Sequence, residues 1–228
     1  QAIVSFLCPI HLHASMVQGS IPRTYAMAFQ ILSRTAMGVS WSDTKDLIRA
    51  DLYRYCGRSF TWADLLSVYW GTPGFAYTCW FRLAGFYKTR LWGRVFYFFC
   101  RWKLRQLGYR YGIAIPYNTT IGPGLYIGHC GGIVVNHDAV IGKNCNLNHG
   151  VTIGVTFGGK YPGTPVIGDN VYLGPGSFVI GGIQVGNHVA VGANTVVARP
   201  VPDYGVVVNR GADISVGHGS DHYVVNTV

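Results

Sequence analysis

From residue 113 onward, aliphatic side chains recur every six positions. Ile115, Ile121 and Ile127 form one set, and Val135, Ile141, Leu147 and Ile153 the next. Ile167, Leu173, Val179, Val185, Val191 and Val197 form the last. Glycine follows the aliphatic residue at 122, 128, 142, 154, 168, 174, 186 and 192. A period of six fits neither an amphipathic helix nor an alternating strand. It predicts a parallel β-helix of triangular coils, in which each flat side gives one inward aliphatic and one tight corner. Three sides make a coil of about 18 residues, so about five coils span residues 113–203. Glycine is expected at the corners because it accepts positive φ without strain.

Two interruptions stand out. Two residues are inserted after Gly132, between Ile127 and Val135, and eight between Ile153 and Ile167. A solenoid expels such insertions as loops, and loops of this kind often wall a binding site. The register also places side chains. His129 and His149 each follow an aliphatic of the same column by two residues, so they should stack on adjacent coils, with backbones about 4.8 Å apart. The column continues through Pro175 and Ala193. Two imidazoles followed by small residues predict a groove wall with a base at one end and room for a slender ligand.

Upstream the period is helical. Ser42 can cap a helix beginning at Asp43, with Ile48, Leu52 and Tyr55 on one face. Thr61 and Asp64 have capping-box spacing, and Thr72-Pro73-Gly74 breaks the chain. Helices are then predicted over 75–89 and 91–107, rich in Phe, Tyr and Trp. Arg82, Lys88, Arg90, Arg94, Arg101, Lys103 and Arg105 are interleaved among them. Two readings stay open: arginine stems covering the region's own aromatic core, or a surface resting on a membrane interface. The expected organisation is a poorly specified segment over 1–40, an α-helical aromatic and basic domain over 41–111, the β-helix over 112–208, and a C-terminal tail over 209–228.

Composition sharpens this picture. With 49% hydrophobic and 12% charged residues, general disorder is excluded. No apolar run reaches the roughly 18 residues of a membrane-spanning helix. The chain has nine Asp and no Glu, so few positions can supply a carboxylate. Residues 1–111 carry a net charge of +10 and residues 112–228 a net of −1. An acidic partner is therefore expected for the first half: a phosphorylated cofactor, an anionic glycan or a membrane surface. Nucleic acid is not expected, because no recognition motif gathers the basic residues. The six Cys are scattered without a C-x-x-C pair, which predicts buried free thiols in a reducing compartment. The first residue is Gln, so a start is missing or has been removed. Residues 2–10 are apolar but lack the basic flank of a signal peptide. The expected location is cytoplasmic, at or near the inner face of the membrane.

The segment Ile127-Gly-His-Cys-Gly-Gly-Ile-Val-Val135, with Ala139-Val-Ile-Gly and Gly150-Val-Thr-Ile-Gly154, resembles the serine acetyltransferase family of left-handed β-helix acyltransferases. The block beginning Tyr111-Gly-Ile-Ala-Ile-Pro and the run Ile48-Arg-Ala-Asp-Leu-Tyr-Arg-Tyr55 resemble its polysaccharide-biosynthesis branch. The resemblance covers residues 44–208. It implies a mainly β fold, a left-handed parallel β-helix preceded by an α-helical region. It further implies a homotrimer with sites between subunits, and transfer of acetyl from acetyl-CoA to a hydroxyl with no metal and no covalent enzyme intermediate. His129 occupies the position of the general base, and an imidazole near its neutral pKa suits that task. His149 is either an acceptor contact or a stacking residue. CoA contacts are implied at Gly154, Gly174, Pro175 and Ala193, with Arg199 and Arg210 near the phosphates.

Departures from the family pattern shape the acceptor. The acid that usually orients the base is matched by Ala114, so either another group such as Asn118, itself also expected at the acceptor, serves or activity is weak. An Asp before the base is matched by Gly128, and an Arg-His pair after the long loop by Gly163-Thr164. Losing those charges predicts a neutral saccharide hydroxyl over free serine, with Thr164 as an acceptor contact. Other readings are a serine acetyltransferase of cysteine biosynthesis, a non-catalytic or degenerate solenoid, and a zinc enzyme of the carbonic anhydrase type using His129, His137 and His149. His137 follows a different column from the other two.

Overall fold

The computed structural model describes residues 40–57 and 60–209. The solenoid has three parallel faces. The first holds β1 (Ile113–Ala114), β4 (Ile133–Val135), β7 (Thr152–Gly154), β10 (Phe178–Ile180) and β13 (Val196–Val197). The second holds β2 (Thr120–Ile121), β5 (Val140–Ile141), β8 (Val166–Ile167) and β11 (Gln184–Val185), extended by a parallel bridge from Val185 to Val201. The third holds β3 (Tyr126–Ile127), β6 (Asn146–Leu147), β9 (Tyr172–Leu173), β12 (Ala190–Val191) and β14 (Val206–Val207). Register pairs Ile127 with Leu147 and Leu147 with Leu173, as the six-residue period requires. The inward column of Ile127, Leu147, Leu173 and Val191 is fully buried.

The glycines follow a different rule from the expected one. Positive φ falls two residues after the predicted position, at Gly124, Asn144, Asn170, His188 and Tyr204, in one corner column. Asparagine tolerates this region because its short polar side chain bonds locally. Asn144 Nδ2 donates to Asn170 Oδ1 at 2.9 Å, and the His188 ring stacks on Tyr204 at 4.8 Å. The glycines directly after the aliphatics serve close stacking instead. A Cβ on Gly122 would lie 2.8 Å from the Gly142 backbone, and one on Gly168 would lie 2.8 Å from that of Gly186.

Four helices precede the coils: α1 (Trp41–Cys56), α2 (Trp62–Gly71), α3 (Pro73–Tyr87) and α4 (Arg94–Tyr111), with a 3-10 turn at Leu91–Gly93. The cap of α1 is Ser40 and not Ser42, since Ser40 Oγ accepts from Asp43 N and Asp43 returns to Ser40 N, each at 3.0 Å. Thr61 and Asp64 form the predicted box on α2. The break at Thr72-Pro73 separates α2 from α3, with Pro73 at the first helical position.

The first coil has no coil before it, so its edge groups need other partners. The helices supply them on all three faces. The Tyr77 hydroxyl donates to Ile115 O at 2.8 Å and accepts from Ile115 N at 3.2 Å. The Tyr55 hydroxyl does the same at Ile127, 3.3 Å to O and 3.0 Å from N. Asp51 Oδ1 accepts from Gly124 N and Leu125 N at 2.9 and 2.8 Å. Arg82 donates to Ile121 O and Gly122 O, both at 2.7 Å, and pairs with both Asp51 oxygens at 2.9 and 3.1 Å. Burial pushes the Tyr77 phenol up to about 12 and raises that of Tyr55, so both remain protonated donors.

Cys79, Cys100 and Cys145 are buried and free, as the scattered spacing predicts. Burial pushes their thiols up to about 12, 11 and 12. At pH 8 they should therefore resist a thiol reagent until the chain is unfolded, because the thiolate is the reactive form. Peptide mapping after alkylation of native and urea-unfolded protein reads this. Labelling of Cys145 in the native state as fast as in urea would contradict the packing.

Candidate active site

The corner from the third face to the first carries the imidazoles. In the first coil it runs over residues 128–132 and holds the two-residue insertion, with positive φ at Gly131 and Gly132. His129 and His149 stack on adjacent coils as predicted, with ring centroids 6.0 Å apart and edge to face. Both are exposed at the corner. Their column continues through Pro175 and Ala193: Gly176 N donates to His149 O at 2.9 Å, and Asn194 N to Pro175 O at 2.8 Å. Gly174 lies buried beside this column, and a Cβ there would lie 2.7 Å from Val191 O.

The surroundings of His129 are aromatic and tight. A Cβ on Gly128 would sit 2.9 Å from the Tyr126 ring and 3.4 Å from Asn148 Oδ1. Tyr126 in turn packs on Tyr55 with centroids 4.6 Å apart. Asn148 is buried and donates to Leu173 O at 2.8 Å, which anchors the corner under His149. Cys130 adjoins His129 but is half-buried, and burial raises its thiol above the ordinary value. A neutral thiol is a poor nucleophile, so the imidazoles and not Cys130 are the groups suited to move a proton here.

The remaining predicted residues lie elsewhere. Ala114 sits on the outward side of β1, in register with Val134. Asn118 lies in the turn between β1 and β2, across the first face from His129, so it does not orient that ring. Thr164 lies on the same far corner, its hydroxyl 3.4 Å from Asp138 O. Gly154 ends β7 at that edge, and Arg199 follows β13 there. Arg210 lies outside the described residues. The long insertion leaves from this far corner as a hairpin-like loop, closed by paired bonds of Thr156 and Gly163 at 3.0 and 2.8 Å. Phe157, next to the closing pair, stands 93% exposed. The first face separates the two groups of predicted residues. Its outward positions Val134, Phe178 and Val196 are exposed.

His137 follows β4 on the far corner and contacts Asp138 at 3.2 Å, away from His129 and His149. Among the described residues, no group of three or more His, Cys, Asp or Glu is placed to hold a metal ion. Sequence reasoning missed Asp51, Tyr55, Tyr77 and Arg82 as the groups that hold the first coil in place, Asp51 and Tyr55 doing so at and just before β3, which leads to His129. One signal was available: Asp51 falls among Ile48, Leu52 and Tyr55 on the apolar face of its helix, where an unpaired acid would be costly.

Comparison with known proteins bears on this geometry. The family described as bacterial transferase hexapeptide (six repeats) matches residues 164–199. A serine acetyltransferase of Staphylococcus aureus (strain Mu50 / ATCC 700699) is 37% identical over 117 residues, covering 49% of this chain and 55% of that protein. The chain thus spans about half the length of the curated relatives it matches. Among solved structures, the serine acetyltransferase of Neisseria gonorrhoeae in complex with serine aligns with a TM-score of 0.60 and 27% identity, covering 82% of this chain and 74% of that one. A serine acetyltransferase complex with CoA aligns with a TM-score of 0.60 and 24% identity, over 86% and 78% of the two chains. The chain is a left-handed parallel β-helix behind a helical region, and it resembles the serine acetyltransferases. These relatives overturn the saccharide acceptor. The physical reason lies in the site. The saccharide reading rested on the missing charges at Gly128 and at Gly163-Thr164, and within one chain these positions occupy opposite edges of the first face. Gly128 adjoins His129, but the uncharged Gly163-Thr164 pair of the same chain does not border that ring.

Proposed function

We propose that this chain is an acetyl-CoA-dependent serine O-acetyltransferase, assembled as a homotrimer with its sites between neighbouring subunits. The observation that supports it is the stacked His129–His149 corner at 6.0 Å, in a chain similar to serine acetyltransferases over both its helices and its coils. The same geometry supports between-subunit sites: one chain carries its histidines and its long loop on opposite edges of the first face, and a neighbour's loop would complete the wall.

In this mechanism His129 accepts the proton of the serine hydroxyl as the oxygen attacks the thioester carbonyl. The C–S bond breaks, the CoA sulfur leaves as thiolate, and the imidazolium returns the proton to it. O-acetylserine and free CoA result, with no covalent enzyme intermediate. Acetyl-CoA lies along the column of Pro175 and Ala193, where the side chains are small. His149 contacts the acceptor beside His129.

The test is release of CoA thiol from acetyl-CoA by the full chain, with and without L-serine, the product being identified by mass spectrometry. Serine-dependent release with formation of O-acetylserine is expected. A folded, trimeric protein that releases no CoA with serine would overturn the proposal.

A further inference from the structure

Helix α4 is apolar on two opposite sides. Cys100 and Leu104 are buried against the rest of the fold, with Leu107 and Tyr111 packed beside them. At about 100° per residue, Val95, Phe98, Phe99 and Trp102 fall on the other side of the helix. There Val95 is 79% and Phe98 59% exposed. Leu91 and Trp92, in the preceding turn, are also exposed, at 84% and 71%. An exposed apolar surface of this kind marks an interaction site rather than a solvated face.

Its charge says what it meets. On the same helical projection Arg94, Arg101 and Arg105 flank one side of the aromatic stripe, and Lys103 and Arg110 the other. No acidic residue occurs between Asp64 and Asp138. Charged groups lie over rings at the rim of the stripe: the Arg101 guanidinium carbon is 4.8 Å from the Tyr117 ring centroid and Lys103 Nζ is 5.3 Å from that of Trp102. Val95 and Phe98 stay exposed between these flanking cations. A second copy paired about a two-fold axis would bring the same cations together with no carboxylate of this segment to answer them. No helix among the described residues is long and apolar enough to cross a membrane.

We infer that α4 and the turn before it rest in the plane of an anionic lipid bilayer, the aromatic side chains entering the interface and the flanking cations meeting lipid phosphates. This inference stands apart from the acetyl-transfer reading, since it uses none of the residues of the histidine corner.

The test is co-sedimentation of the full chain with phosphatidylcholine vesicles holding about 30% phosphatidylglycerol, against phosphatidylcholine alone, at about 50 and 500 mM salt. Binding to the anionic vesicles is expected, weaker by about tenfold or more on neutral vesicles and at the higher salt, with a blue shift of tryptophan emission. The double variant Val95→Glu/Phe98→Glu, and separately Arg94→Glu/Arg105→Glu, should each lose this binding while keeping the wild-type thermal transition. The second variant preserves the test if the first aggregates. Absence of anion-dependent binding overturns the inference. So does vesicle binding unchanged in both variants, or sedimentation velocity showing a self-association that both variants abolish, without any binding to vesicles.

Discussion

Replacing His129 with alanine should lower serine-dependent acetyl transfer by about 10²–10⁴-fold, the usual contribution of a positioned general base. The effect belongs to chemistry and not to folding. His129 is exposed at its corner and the coil beneath it packs through Ile127, which is fully buried. Unfolding free energy should therefore change by less than about 0.5 kcal/mol, as for surface substitutions generally. His149→Ala, one coil away, separates the roles of the two rings. As an acceptor contact it should raise KM for serine more than it lowers kcat, whereas loss of the base lowers kcat itself. Steady-state kinetics with serine varied at saturating acetyl-CoA measure both. Turnover by the His129→Ala variant equal to that of the wild type would remove the mechanism.

The largest expected effect on stability is at Asp51. Its side chain and that of Arg82 are almost completely buried, 0% and 3% exposed. Asp51→Ala leaves the Arg82 guanidinium without its carboxylate and strips Gly124 N and Leu125 N of their acceptor. Removing one partner of a buried pair costs about 3–5 kcal/mol, because the other charge stays desolvated and unanswered. That is a large share of the roughly 5–15 kcal/mol that holds a domain folded. Asp51→Asn keeps an acceptor for the two amides and should cost less. All six tryptophans lie between Trp41 and Trp102, so their fluorescence reports the helices, while far-UV circular dichroism follows the whole chain. Urea titrations read by both probes should show the alanine variant's helices leaving the coils at markedly lower denaturant. A shift of under about 1 kcal/mol would mean that water replaces the clasp at little cost.

The two outcomes are connected through β3. Tyr55 bridges the amide and carbonyl of Ile127, two residues before His129, and Asp51 holds the turn leading into that strand. The helical region thus stands in for a missing coil and fixes the first corner of the solenoid.

The six-residue period, the five coils, the stacking of His129 on His149 and the places of both insertions were legible in the sequence. All depend on local spacing, because each rung repeats its neighbour at a constant offset, so counting residues along the chain amounts to measuring distance between coils. What counting could not reach was anything set across faces or between elements. Gly122 reads as a corner glycine, yet its backbone is pressed against Gly142, and positive φ falls at Gly124 instead. Asn118 and Thr164 are expected near His129 from the family pattern, but the turn from β1 to β2 and the loop after β7 carry them to the opposite edge of the first face. Asp51 and Arg82 lie far apart in sequence and on separate helices. Only the docking of those helices onto an open β edge makes them partners, because the demand comes from unpaired backbone groups that exist only once the coil has formed.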